Sequence, residues 1–500
     1  MKTDFLNGRK TVAVIGGQFG DEGKGKIVDL LMTYWGGIDV RGTGGANAGH
    51  TACVDGTSYA FRLLPSGILH DRDGKINIIG PGVAFNPKVA CKELDTLHTA
   101  GFSTHNLQIS HRAHLVLPHH LLLDQVRELK RGSERIGTTL NGIGPTYECH
   151  FSRTGMTVND LQNGKSFFRN KLERNLREMR DLFAQIDPAY LKKVLAGDKF
   201  ENGRFYAGRS AVLDLDAITE TYINYGERIA QYITDTDAFL AGVVGEENIV
   251  LEGAQATMLS VHYGTYPDVT SSDCTDQGLA QGAGIRERHI DLVLLVLKAF
   301  YMSRVGNGAF PTELGGRDSA VWCDHRTIID EETRFPDASI NDPDEFIRGV
   351  GIRRVGKEFG TVTKRLRRVG WFDLPLAHYA IRCAGPNVEL VLTKLDVLEG
   401  CDQIKTCHAY EYRGPDHVYA GRQYRNGDVL PVAVPNSEIL RHCTPLYSSF
   451  TGWVTPTSSM RSAADFPLGL RKPASFVQDQ LQRTIRMISV GPDREQTIVV

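Results

Sequence analysis

From Gly20 to Lys26 the chain reads GDEGKGK, which sets a glycine and a lysine at the G-x-x-x-x-G-K spacing of a loop that cradles phosphate. Five glycines between positions 16 and 26 let backbone N–H groups approach phosphate oxygens with no Cβ in the way. A tight strand-to-helix turn would explain those glycines, but not Lys24 and Lys26 beside them. Two features depart from the usual loop. Ile27 stands where Ser or Thr would ligand magnesium, and the acid pair Asp21-Glu22 occupies a place from which an anion should be repelled. A carboxylate in an anion site needs a chemical purpose.

Two further glycine clusters have related chemistry. GTGGANAGHT (42–51) adds Asn47 and His50, although a lone histidine in a turn is more often solvated than catalytic. GTTLNGIGPTYECHFSRTG (137–155) offers hydroxyls, glycines and Arg153, all suited to a phosphate monoester. Three such turns in one chain suggest two phosphorylated ligands. In TKLDVL (393–398), Lys394 could stack along a guanine base while the carboxylate of Asp396 accepts from N1–H and the 2-amino group, which adenine cannot supply. The bare motif fits an exposed ion pair at a strand end equally well.

The elements that must position these residues are apolar and β-branched: TVAVIG (11–16), KINIIG (75–80), NIVLEG (248–253), DLVLLVLKAF (291–300) and VELVLTKLDVL (388–398). Continuous apolar character predicts strands buried on both faces, hence an α/β fold with a large, mostly parallel central sheet and helices on both sides. RNKLERNLREMRDLFAQI (169–186) predicts a helix with Leu172, Leu176, Met179, Phe183 and Ile186 on one core-facing stripe. In such sheets ligands bind at the carboxyl ends of strands, where these turns lie.

Composition narrows the partners. The 57 basic and 59 acidic residues leave a net charge of -2, which offers no global attraction to nucleic acid or an acidic membrane. Nine scattered cysteines without a C-x-x-C pair predict free thiols in a reducing compartment. With no apolar leader in MKTDFLNGRK and no run long enough to span a membrane, a soluble cytoplasmic protein is expected. Length alone would allow about three domains. No linker marks a boundary, however, so a single domain over 1–500 with surface insertions near 187–247 and 316–349 is the expectation.

These residues carry a resemblance. GDEGKGKIVDLL, NAGHT, LPSGI, GIGP, LEGAQ, GTYPDVTSS, FPTEL, RRVGWFD, TKLDVL and GPDREQT follow one another nearly end to end as in the adenylosuccinate synthetases, GTP-dependent ligases that join IMP and L-aspartate in AMP biosynthesis. The resemblance implies that Asp21 is the base that removes the N1 proton of IMP and also contacts Mg2+, which would offset its repulsion of phosphate. His50 then stabilises the transferred γ-phosphoryl group and Lys24 faces the phosphates. It places IMP against Asn47, Thr138, Thr139, Gln255 and Thr270, with Arg153 reaching the neighbouring subunit of a homodimer. GTP falls to Gly23, Lys24, Gly49, Thr51, Lys394, Asp396, Ser489, Gly491 and Pro492, the metal to Asp21 and the backbone of Gly49, and aspartate to Thr363, Arg365 and Arg367.

The family's aspartate loop reads close to T-T-T-G-R-x-R-R. Here TVTKRLRR (361–368) puts Val362 in place of a hydroxyl and Lys364 in place of a glycine. The purine-facing stretch has Ala256, Ser260, His262 and Tyr263 where glycine, acid, acid and histidine are usual. A solvated surface elaboration is the expected role of both insertions. Two rival functions follow from the same residues: a paralogue that ligates aspartate to another 6-oxopurine nucleotide such as dGMP, and a non-catalytic GTP-binding module. In the dGMP-type enzymes that resemble this family the base aspartate is commonly replaced, so Asp21 favours IMP over the first, and the second leaves Asn47, Arg153, Gln255 and the 361–368 loop without a purpose.

Overall fold

The structure, a computed structural model, describes residues 6, 8–54, 57–195, 213–360 and 364–500. At its centre is a ten-stranded sheet ordered Thr497–Val499, Ile485–Ser489, Val388–Thr393, Leu292–Lys298, Thr11–Gly16, Ile249–Glu252, Ile38–Arg41, Ile76–Ile79, Leu107–Ser110 and Ile233–Thr234. Every pairing is parallel except that of the edge strand Thr497–Val499. A second sheet packs beside it, built on the long antiparallel pair Gln403–Tyr412 and Cys443–Thr451.

Period-two alternation explains how apolar strands feed two cores. Val12 and Val14 pack with Ile27, Val28, Leu30 and Leu31 of the helix Lys24–Tyr34. Ala13 and Ile15 point the other way, toward Leu279 and Ala280 of the helix Asp276–Ala283. Each fully buried aliphatic side chain contributes about 1.5–3 kcal/mol relative to exposure, so both layers hold the sheet firmly.

The predicted strands are present, and two end at least two residues earlier than expected. The run 291–300 is strand only over Leu292–Lys298, and 388–398 only over Val388–Thr393. Lys394 turns the chain with φ 56°, and Leu395–Leu398 form a short 3-10 turn, so apolar residues continue past the strand because that turn is itself buried. The helix expected over 169–186 spans Lys165–Ala184, with Leu172, Leu176 and Phe183 buried, Met179 partly buried, and Ile186 buried just beyond its end.

The 316–349 segment departs from a purely solvated elaboration. It contains the helices Gly316–His325 and Ile328–Arg334 and the start of Glu345–Val355. Cys323 and Ile328 pack on Leu366, while buried Glu331 pairs with buried Arg353 at 2.6 Å. Of the 187–247 segment, residues 196–212 lie outside the described residues.

Candidate functional site

Asp21 and Glu22, adjacent in sequence, have opposite fates. Glu22 is fully buried and accepts from the backbone N–H of Gly20 at 2.8 Å and from Lys24 Nζ at 2.7 Å. Its carboxylate therefore closes the loop from inside, and a Cβ on Gly16 would collide with it. Lys24, expected to face phosphates, is 4% exposed and anchored to Glu22, which neutralises its charge locally. Asp21 sits at φ 58° and turns its carboxylate into the cleft, where Arg367 Nε donates to Oδ2 at 2.8 Å. Desolvation pushes the Asp21 carboxyl up, but Arg367 and then Lys298 pull it further down, so its pKa lies below the ordinary value.

His50 opens a two-stranded hairpin, His50–Val54 with Thr57–Phe61, against the helix Lys24–Tyr34. A Cβ on Gly25 would meet His50 Cβ at 3.1 Å and Thr51 N at 3.2 Å, so glycine is what lets the hairpin lie this close. His50 Nδ1 contacts Glu252, which also accepts from Ser66 N and Ser66 Oγ, each at 2.7 Å. Burial alone would raise the Glu252 carboxyl, but His50 and Arg41 outweigh it and hold it ionised. An ionised carboxylate only accepts, which places a proton on Nδ1 and turns Nε2 away from Glu252. Gly49 and Thr51, on either side, are exposed.

Asn47 and Thr270 come together, Asn47 Nδ2 donating to Thr270 Oγ1 at 3.3 Å. Beside them Gln255 has φ 56°, and both polar atoms of its buried amide lack a hydrogen-bond partner. A buried, unsatisfied amide costs about 1–3 kcal/mol, which suits a group waiting for a polar ligand. Thr138 donates its hydroxyl to Asp124 at 2.9 Å, and Thr139 is exposed on the same loop. Arg153 ends the helix Ile143–Ser152 at φ 66° and is exposed, apart from this cluster.

At the other end of the cleft, Lys394 donates to Glu358 at 2.7 Å and to the Gly356 carbonyl at 3.1 Å. Lys26 donates to Ser489 Oγ at 2.7 Å and to the Gly491 carbonyl at 2.6 Å. Burial lowers Lys26 to about 8, opposed first by Asp396, while burial raises Asp396, opposed by Lys26 and Lys394. Lys26, Lys394, Asp396, Ser489 and Gly491 thus share one region, and Pro492 is exposed at its rim.

Of the predicted amine-donor residues, Arg365 and Arg367 lie on a narrow antiparallel ribbon. Arg367 N donates to Glu358 O, and Gly360 N to Arg365 O, both at 2.9 Å. Arg365 pairs with Asp324 at 3.1 Å, and Asp324 also holds Arg135, which precedes the 137–155 turn. Arg367 reaches Asp21 as described, whereas Thr363 lies outside the described residues. Lys364 takes φ 54°, the left-handed region that favours the family's glycine.

Sequence reasoning missed Glu252, Glu358, Lys298 and Asp324. Glu252 and Lys298 are charged residues at the ends of apolar strands, and a charge embedded in a buried strand must find a partner. That signal was readable for Glu252 in NIVLEG and Lys298 in VLKAF, but Glu358 in RRVGKEFG and Asp324 carried none.

The adenylosuccinate synthetase family model matches residues 13–498. Relatives named adenylosuccinate synthetase from Streptococcus gordonii and Bacillus cytotoxicus are each 38% identical over 491 residues, covering 98% of both chains. The fully ligated adenylosuccinate synthetase of Plasmodium falciparum superposes with a TM-score of 0.78 at 30% identity, covering 98% of this chain and 99% of that one. A cyanophage S-2L succinoaminodeoxyadenylate synthetase bound to dGMP and dATP shares the fold alone, at 17% identity and a TM-score of 0.51, covering 98% of this chain and 95% of that one.

Proposed function

The chain belongs to the adenylosuccinate synthetase family, and from that premise we propose that its cleft joins IMP and L-aspartate with Asp21 as the base. The observation that carries this reading is the 2.8 Å Asp21–Arg367 ion pair, which sets the amine-donor ribbon against the phosphate turn across 346 residues. O6 of IMP is a poor nucleophile until the N1 proton leaves. Asp21 takes that proton, O6 attacks the γ-phosphorus of GTP, and GDP departs. The amine of aspartate then attacks C6, and the C6–O6 bond breaks as phosphate leaves with the oxygen. Burial holds the His50 imidazole below its ordinary pKa, opposed first by Glu252, so the ring donates from Nε2 to the γ-phosphoryl oxygens only once it is protonated there as charge develops, with Glu252 accepting from Nδ1–H. The unpaired amide of Gln255, with Asn47, Thr270, Thr138 and Thr139, supplies hydrogen bonds to IMP.

Among the described residues no group of three or more His, Cys, Asp or Glu side chains could hold a metal. Asp21 Oδ1 nevertheless makes no hydrogen bond there, and one carboxylate with the Gly49 backbone, completed by phosphates and water, fits the oxygen-only requirement of Mg2+. When bound, Mg2+ would neutralise charge on the transferring phosphoryl group. Guanine selection is assigned to Asp396 and Lys394, with Gly23, Lys24, Thr51, Ser489, Gly491 and Pro492 around the rest of GTP.

Arg153 makes no side-chain hydrogen bond among the described residues and lies beside Phe151, which is 77% exposed; both support a homodimer in which Arg153 serves the adjoining site. Strands from both ends of the chain share the main sheet, which supports one domain. The eight cysteines whose side chains are described are free, which supports a cytoplasmic location. The test offers IMP, dIMP, GMP and dGMP with GTP, magnesium and aspartate, and identifies products by mass spectrometry. Adenylosuccinate is expected; product from dGMP alone would replace IMP as the substrate, and phosphate release with no ligated product would sink the ligase reading.

A further inference from the structure

Glu358 is 1% exposed, stands at the foot of the amine-donor ribbon, and has four donors on one carboxylate. Lys298 Nζ reaches it at 2.6 Å, Tyr301 Oη at 2.7 Å, Ser303 Oγ at 2.8 Å and Lys394 Nζ at 2.7 Å. Its backbone carbonyl accepts from Arg367 N at 2.9 Å. One residue thus holds the lysine of the guanine region by its side chain and the arginine beside Asp21 by its main chain. We propose that Glu358 is a positioning residue that ties the seating of the guanine nucleotide to the set of the amine-donor ribbon. The proposal rests on the assignment above of Lys394 to guanine and of Arg365 and Arg367 to the amine donor.

The alternative is a buried ion serving the fold alone. Burying a carboxylate with two ammonium groups is a costly way to fill a core, since apolar residues of similar volume are often as stable. Lys394 also stands at φ 56°, a conformation ordinary residues avoid, and its anchors there are the Glu358 carboxylate and the Gly356 carbonyl at the foot of the same ribbon. A base stacked on Lys394 therefore bears on a side chain anchored to Glu358 and Gly356, which lie within two residues of each other, next to the ribbon. Lys298, beneath the same carboxylate, contributes to the field at Asp21, so three parts of the cleft meet at Glu358.

Steady-state kinetics on Lys394→Met, a partly exposed position suited to substitution, provide the test. The Michaelis constants for GTP and for aspartate should each rise about fivefold or more, with that for IMP within about twofold. A rise for GTP alone overturns the link through Glu358 and leaves the guanine assignment standing. No rise for either removes Lys394 from the guanine site, and the proposal with it. Glu358→Gln should give the same split, larger for aspartate. Tyr301→Phe deletes one of the four hydrogen bonds but keeps both lysines, so it should lower the melting temperature without the split; the same split there would show general loosening and overturn the proposal.

Discussion

The phosphate turn at 16–26 and the ribbon of 358–360 with 364–367 both present charge to one cleft, yet they are built in different ways. In the turn, Glu22 finds Gln18, Gly20 and Lys24 within four residues along the chain. In the ribbon, Arg365 and Arg367 find Asp324 and Asp21, separated by 41 and 346 residues. A site part closed by local partners can be rigid before substrate arrives. A part closed by distant carboxylates can, under the proposed assignment, exchange them for the carboxylates of a substrate, and its geometry depends on every element between.

Substitutions at Asp21 should show the largest effect. Asp21→Asn keeps the shape of the turn and removes the base, so turnover should fall about 100-fold to 10,000-fold while nucleotide binding persists. Near-normal turnover, measured by product formation under saturating substrates, would remove Asp21 from the role of base. Glu22→Gln tests the locally closed half. It leaves the buried Lys24 ammonium without its ion-pair partner and should destabilise the fold by about 3–5 kcal/mol in chemical denaturation. If stability were unchanged, the turn would not depend on that pair.

Arg365→Leu probes the ribbon. An Arg–carboxylate contact of about 1.5–3 kcal/mol predicts a rise in the Michaelis constant for aspartate of about 10-fold to 100-fold, with GTP and IMP little affected. Equal changes for all three substrates would mean that Arg365 acts through its bond to Asp324 rather than on the amine donor. The smallest expected effect belongs to Lys364→Gly. Glycine at φ 54° relieves left-handed strain of about 1 kcal/mol, although it also loosens the unfolded chain, so a modest gain in melting temperature with aspartate use preserved is expected. Loss of aspartate use in that variant, with another amine still accepted, would make Lys364 a donor-selecting residue.

Much of the scaffold was legible because burial on both faces leaves a simple mark. TVAVIG and NIVLEG must be strands in a covered parallel sheet, and GDEGKGK must turn at the carboxyl end of one. The ends of the strands were less legible, since the 3-10 turn Leu395–Leu398 is as apolar as the strand before it. The acidic segment at 316–349 misled for a related reason. Its charges suggest solvent, and only the packing of Glu331 on Arg353 and of Ile328 on Leu366 draws it inward.

By itself the sequence determined which residue types were available and the local turns that present them, because glycine placement, strand period and short-range hydrogen bonds depend on neighbours a few positions apart. Motif order along the chain also carried the family. Tertiary structure alone decided that Glu22 closes the loop while Asp21 faces the cleft, that Arg367 meets Asp21, and that Glu358 gathers Lys298 and Lys394. The physical reason is that a charge's role depends on which opposite charge shares its low-dielectric surroundings, and the folded path of the intervening chain sets that proximity.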